Sequence, residues 1–158
     1  MVKVERRWTE SLKRLRLDSS CGTDGFLSWR VRIVGHGIDL TEVARIAELL
    51  ERHGERFLTR CFTEAEVAYS RRRPKRQCEH LAVRFAAKEA ALKALGTGRR
   101  HGIAWTDVAV ERKPSGEPSI VLAGAAQTIA SERGITGWSV SLTHTADVAA
   151  ASVIAMAE

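Results

Sequence analysis

The chain is poor in cysteine, has no long hydrophobic run and contains no repeat, and each absence removes a class of protein. Three cysteines, Cys21, Cys61 and Cys78, are odd in number and lack CxxC spacing. That argues against a disulfide framework or a structural zinc site and fits a reducing, cytoplasmic setting. No apolar stretch approaches the roughly 18 residues of a membrane-spanning helix. A soluble protein without a membrane role is expected. Residues 1–30 have no apolar core of a secretory signal, and their four acidic residues do not suit a transit peptide. No internal repeat or low-complexity tract is present.

What is there is ordinary in bulk and uneven in charge. The 158 residues are 44% hydrophobic and 28% charged, enough for one domain with a sound core. A net charge of +6 calls for an anionic partner: nucleic acid, a membrane surface, a phosphorylated ligand or an acidic protein. Residues 1–30 hold seven basic against four acidic side chains, and the rest of the chain holds 18 against 15. The sharpest basic run, Arg71 to Arg76, is interrupted by Pro74 and belongs in a loop. Such a run fits either a solvated loop or a site for phosphate or an acidic partner.

Residues 1–30 read as an N-terminal extension, flexible or loosely docked, and 31–158 as a single folded domain. A strand is expected over 31–38, with Asp39 at a strand-to-helix junction as a cap or Asx turn. A helix over 41–53 places Leu40, Val43, Ile46, Ala47 and Leu50 on one face and stops at Gly54. Thr63-Glu64-Ala65-Glu66 is a capping box that starts another short helix. A long helix follows over 76–95. Strands over 106–112 and 118–122 flank a turn at 113–117, and a helix over 125–133 ends at Gly134. Strands over 138–144 and 148–155 close the chain. This order predicts an α+β fold with helices packed on one face of a mainly antiparallel sheet.

The long helix carries the chemistry. At 3.6 residues per turn, Leu81, Phe85, Lys88, Leu92 and Leu95 share one side, suited to a core. Ala82, Ala86, Glu89, Ala90 and Lys93 share another, where small side chains let a ligand approach the backbone. Glu89 and Lys93 fit a surface i,i+4 pair as well as a site for a metal and a phosphate. Asp39, from a separate element, supplies a second carboxylate. Two carboxylates suit magnesium, which keeps positions for phosphate and water. Lys93 would neutralise further phosphate charge, as phosphoryl transfer requires. His144, near a strand end, fits a structural role or a phosphate donor. Arg99-Arg100-His101, beyond the Gly96-Thr97-Gly98 loop, fits a solvated turn or an extension of the anion site.

Three ordered motifs then coincide. Gly35-His36-Gly37-Ile38-Asp39-Leu40, Arg84-Phe85-Ala86-Ala87-Lys88-Glu89-Ala90 with Lys93 and Gly96-Thr97-Gly98, and Ser141-Leu142-Thr143-His144-Thr145 together resemble the holo-[acyl-carrier-protein] synthases. These are the short type of the 4′-phosphopantetheinyl transferase superfamily, and the resemblance runs from about residue 31 to 156. It implies the 4′-phosphopantetheinyl transferase fold and transfer of 4′-phosphopantetheine from coenzyme A to a serine of apo-acyl carrier protein. Adenosine 3′,5′-bisphosphate is released, in the service of fatty acid biosynthesis.

By the same resemblance Asp39 and Glu89 would ligate Mg2+, and Lys93 would hold a pyrophosphate oxygen and support the leaving charge. Lys75, Arg76 and Arg84 would meet the coenzyme's phosphates, and Gly96 and Gly98 would also bind the coenzyme. His144 would reach the coenzyme from a neighbouring subunit, and Arg45 would dock the acidic carrier protein. Glu89, or a magnesium-bound water that it orients, would take the serine proton. A chain with one half of the longer members' two-half architecture implies a homotrimer with apolar exposed sheet faces.

Three features depart from the pattern. His36 stands where an apolar residue is usual and is expected to pack. Glu117 replaces the usual base in the turn before Pro118, and the 30-residue extension has no counterpart in the short enzymes. A nucleic-acid-binding module is the alternative, supported by the charge, the arginine run and four tryptophans. Those tryptophans are scattered rather than interleaved with basic residues. A catalytically silent trimer kept as a scaffold would lack one of Asp39, Glu89 and Lys93, and all three are present.

Overall fold

The computed structural model describes residues 31–158, so the extension expected over 1–30 lies outside the described residues. Strand β1 (Arg32–Glu42) continues four residues past its expected end. Asp39 is therefore inside a strand, paired with Ala151, and caps no helix. Side chains alternate across a strand, so Gly35, Gly37, Asp39 and Thr41 face the helices while His36, Ile38 and Leu40 face outward. The alternation through Thr41, which is buried, overrides the local turn preference of Asp39.

Helix α1 (Val43–His53) begins without a side-chain cap and buries Ile46. Leu40 and Ala47, expected on its apolar face, are exposed; Leu40 belongs to β1, and Leu49 packs inward in their stead. Gly54, with φ of 51°, ends α1, and α2 (Glu55–Cys61) starts at once. This second helix was not anticipated, although Phe57, Leu58 and Cys61 give it a buried side. Helix α3 (Glu64–Arg71) carries the expected capping box: Glu66 N–H donates to Thr63 Oγ1, and Thr63 N–H to Glu66 Oε2 at 2.9 Å. A 3-10 turn over Pro74–Arg76 holds part of the basic run and leads into α4 (Gln77–Ala94).

The remaining elements are β2 (Val108–Arg112), β3 (Pro118–Leu122), α5 (Gly124–Glu132), β4 (Gly137–His144) and β5 (Val148–Ala157). They form two antiparallel sheets rather than one: β1-β5-β4, and the β2-β3 hairpin. The fold is α+β. Helix α4 lies against the inner face of the larger sheet, and the contact is close enough to demand glycine. A Cβ on Gly37 would stand 2.0 Å from the Ala90 carbonyl oxygen, and one on Gly35 would stand 2.0 Å from that of Ala94. The Gly-x-Gly spacing thus seats β1 on α4 and brings Asp39 beside Lys93. Core packs on both sides of this contact, one cluster around Ala86, Leu92, Val108 and Val153, the other around Ile46, Phe62, Leu81 and Phe85.

Candidate active site

Asp39, Glu89 and Lys93 gather where β1 crosses α4. Lys93 Nζ donates to Asp39 Oδ1 at 2.8 Å and to the Ile38 carbonyl at 2.8 Å. Thr41 Oγ1 donates to the other carboxylate oxygen, Asp39 Oδ2, at 3.2 Å. Glu89 sits one helical turn before Lys93. Burial first, and then the Asp39 charge, raise its carboxyl above the ordinary range; Lys93, Arg45 and Arg99 pull the other way. Arg45 on α1 and Arg99 beyond the glycine loop therefore stand within electrostatic reach of the two acids.

This donor set fits a small hard cation. Two carboxylates from different elements press on each other electrostatically, and a divalent ion relieves that repulsion. No group of three or more acidic, histidine or cysteine side chains converges among the described residues. A site with two protein carboxylates leaves positions for phosphate and water, which is the habit of magnesium rather than of an all-protein cage.

A second cluster forms around His144. Arg76 Nη2 lies 3.5 Å from His144 Nε2, while Glu79 Oε2 lies 3.4 Å from His144 Nδ1 and accepts from Arg76 Nε at 2.9 Å. His144, His80, Arg84, Tyr69 and Arg112 line a cavity of about 200 Å³. Arg84 is buried, its guanidinium stacked 4.1 Å from the centre of the Tyr69 ring. Its Nε and His80 Nδ1 are buried without hydrogen-bond partners. Burial, with Arg84 and Arg76 nearby, pushes the His80 imidazole down. A guanidinium with an unused donor in a cavity wall suits an anion, because an unmet buried donor is costly.

The expected residues thus divide. Asp39, Glu89 and Lys93 gather at the first cluster with Arg45 in electrostatic reach, and Arg76, Arg84 and His144 at the second; Lys75 is exposed in the turn beside them. Asp39 and His144 share a sheet face two strands apart and two residues offset. Strand spacing and rise put their backbones roughly 12 Å apart. Gly96 ends α4 at φ of 73° with the Arg133 guanidinium against it, whereas Gly98 faces open space. The alanine face of α4 differs from expectation: Ala82, Ala86 and Ala90 are buried, and at Ala90 it is β1 that approaches, not a ligand. His36, expected to pack, is instead exposed on the outward face, pointing away from Asp39 and bonding Ser152 Oγ at 2.9 Å. Tyr69, His80 and Arg112 escaped sequence reasoning, since only the packing of α3, α4 and β2 brings them together.

The chain belongs to the 4′-phosphopantetheinyl transferase superfamily: residues 35–151 match the family described as ACPS, 4′-phosphopantetheinyl transferase superfamily. A protein of Solibacter usitatus named holo-[acyl-carrier-protein] synthase is 45% identical over 122 residues, covering 77% of this chain and 97% of that one. The crystal structure of holo-[acyl-carrier-protein] synthase from Neisseria meningitidis aligns with a TM-score of 0.72 at 32% identity, covering 78% of this chain and 98% of its own. The Helicobacter pylori enzyme in complex with coenzyme A aligns with a TM-score of 0.67 at 29% identity, covering 76% and 98%.

Proposed function

We propose that this chain is a holo-[acyl-carrier-protein] synthase, transferring 4′-phosphopantetheine from coenzyme A to a serine of apo-acyl carrier protein. The observation that carries the reading is the meeting of Asp39, Glu89 and Lys93 within a chain of this superfamily. The serine oxygen attacks the β-phosphorus of the coenzyme, the bridging P–O bond breaks, and adenosine 3′,5′-bisphosphate departs with the electron pair. Glu89, or a water that it orients, takes the serine proton. Lys93 offsets charge on the pyrophosphate, and Asp39 holds Lys93 in place through their 2.8 Å contact. Magnesium, held by Asp39 and Glu89, would neutralise the pyrophosphate and polarise it toward attack.

The cavity of Arg84 and His144, with Arg76 and Lys75 at its edge, takes the phosphates at the nucleotide end of coenzyme A. Arg45, exposed on α1 and near Glu89, receives the acidic carrier. Separate placement of the two clusters supports a site shared between copies, in which one chain's metal acids face a neighbour's His144. The outward side chains of β1, with Ile38 at 55% and Leu40 at 67% exposure, support a homotrimer. The basic charge then serves the coenzyme and the carrier, and the nucleic-acid alternative has no site to itself. The enzyme works in the cytoplasm, within fatty acid biosynthesis.

Intact-protein mass spectrometry of apo-acyl carrier protein with this chain, coenzyme A and magnesium tests the reading. A gain of one phosphopantetheine mass, lost on adding a chelator, is the expected result. No gain with several carriers and a folded protein overturns it.

A further inference from the structure

Helix α4 carries the metal acid on a side that offers little grip. Its contact face toward β1 is alanine and backbone, and small side chains resist rotation or sliding weakly. One residue before Glu89, however, Lys88 is fully buried with its ammonium in a set of directed bonds. Its Nζ meets Glu66 Oε2 at 2.8 Å, the Trp105 carbonyl at 3.1 Å and the Val108 carbonyl. Three donors find three acceptors. Glu66 is equally engaged: Oε1 accepts from Val110 N–H at 3.0 Å, and Oε2 accepts from Thr63 N–H at 2.9 Å and Thr63 Oγ1 at 3.2 Å.

A buried ion pair is a poor way to gain stability, because desolvation cancels much of the attraction. Its particular property is direction. An apolar side chain in the same place would fill the volume while allowing α4 to turn. The ammonium permits one azimuth, and adjacent residues on a helix differ by a fixed rotation of about 100°. Fixing Lys88 therefore fixes Glu89. The same node ties α3 to the start of β2, and β2 ends in the Glu111-Arg112 wall of the nucleotide cavity.

We propose that Lys88, locked by Glu66, is a positioning residue of the transfer reaction: it sets the rotation of α4 that presents Glu89 beside Asp39. This rests on the proposed function. The test compares full-length wild type with the volume-conserving double variant Lys88→Met/Glu66→Gln, the single Lys88→Met, and Leu58→Ala as a core-destabilised control. Melting temperature, calorimetric magnesium affinity in the presence of coenzyme A, amide exchange across residues 86–93, and kcat and KM are read for each.

The double variant is expected to fold while magnesium affinity and kcat each fall about tenfold or more, with faster exchange at 86–93. KM for the carrier stays at the wild-type value. Leu58→Ala, compared at temperatures below its melting, keeps wild-type magnesium affinity and kcat, so faster exchange at 86–93 in that control marks global opening alone. Wild-type magnesium affinity and exchange in a folded double variant overturn the proposal. Should that variant not fold, Lys88→Met decides in the same way, since it removes the ammonium and its three directed bonds while Glu66 keeps the capping contacts. Wild-type protein inactive on the carrier would instead overturn the function, an outcome read from a different sample.

Discussion

Glu89 holds its proton more tightly than an ordinary glutamate, because burial and the Asp39 charge disfavour its carboxylate. A carboxyl whose pKa is raised by folding binds more protons in the folded than in the unfolded chain, from the ordinary carboxylate range upward. Stability of the metal-free protein therefore declines as pH rises through that window, and Glu89→Gln abolishes the decline. The variant is expected to melt above wild type at neutral pH in chelator, yet to lose more than about a hundredfold in magnesium-dependent turnover. Calorimetric melting with and without magnesium checks both halves; unchanged turnover removes Glu89 from the metal site. Arg45→Glu is expected to raise KM for the carrier about tenfold or more while leaving coenzyme affinity unchanged. Equal effects on both substrates would detach Arg45 from the carrier. Glu89 and Lys93 were legible in the sequence because one helical turn sets their relation. Tyr69, His80 and Arg112 were not, because no local spacing encodes a cavity built from three elements.

Among the elements, β1 shows what sequence patterning conveys and what it hides. Its two glycines announced a close approach only in retrospect, for the partner is α4, more than fifty residues away in the chain. Gly37→Ala is expected to force the pair apart: the added Cβ would meet the Ala90 oxygen at 2.0 Å and Lys93 Cβ at 2.8 Å. A loss of about 1–3 kcal/mol in unfolding free energy is anticipated from overpacking. Turnover should fall further than stability, since Asp39 moves away from Lys93 with the strand; denaturant melts and kcat on the same preparation separate the two. Full activity would show that β1 tolerates displacement. Elements defined by local chemistry were read well. The Thr63 capping box and the turn between β2 and β3 lie where their residues require, the latter closed by Lys113 N–H on the Glu117 carbonyl at 2.9 Å. The run of β1 through Asp39 was misread because an Asp just after a glycine-bounded apolar run resembles a helix start, and only pairing with β5 reveals the strand. Helix α2 was missed because Gly54 reads as a stop although it serves as a corner.

At the scale of the whole molecule, the larger sheet has one face against α4 and another that nothing among the described residues covers. Ile33, Ile38 and Leu40 project from β1 on that uncovered face, joined by Ile154 and Met156 of β5 and bordered by Ser139, Ser141 and Thr143 of β4. His36 lies among them, its Nε2 engaged by Ser152 Oγ. A contiguous apolar strip edged by hydroxyls has the make-up of an interface core with its rim. Ile33 offers the cleanest probe, being 64% exposed and six residues from Asp39 along the strand. Ile33→Glu costs a single chain little, since the carboxylate remains in water, but within an assembly it would bury an unpaired charge. Sedimentation equilibrium is expected to give a trimer for wild type and a mass near 17.4 kDa per particle for the variant. Turnover should fall with the trimer, although Asp39, Glu89 and Lys93 are intact, because the partner's cavity residues no longer reach them. A monomeric variant with wild-type turnover would mean that one chain holds a complete site and that the apolar face serves some other contact.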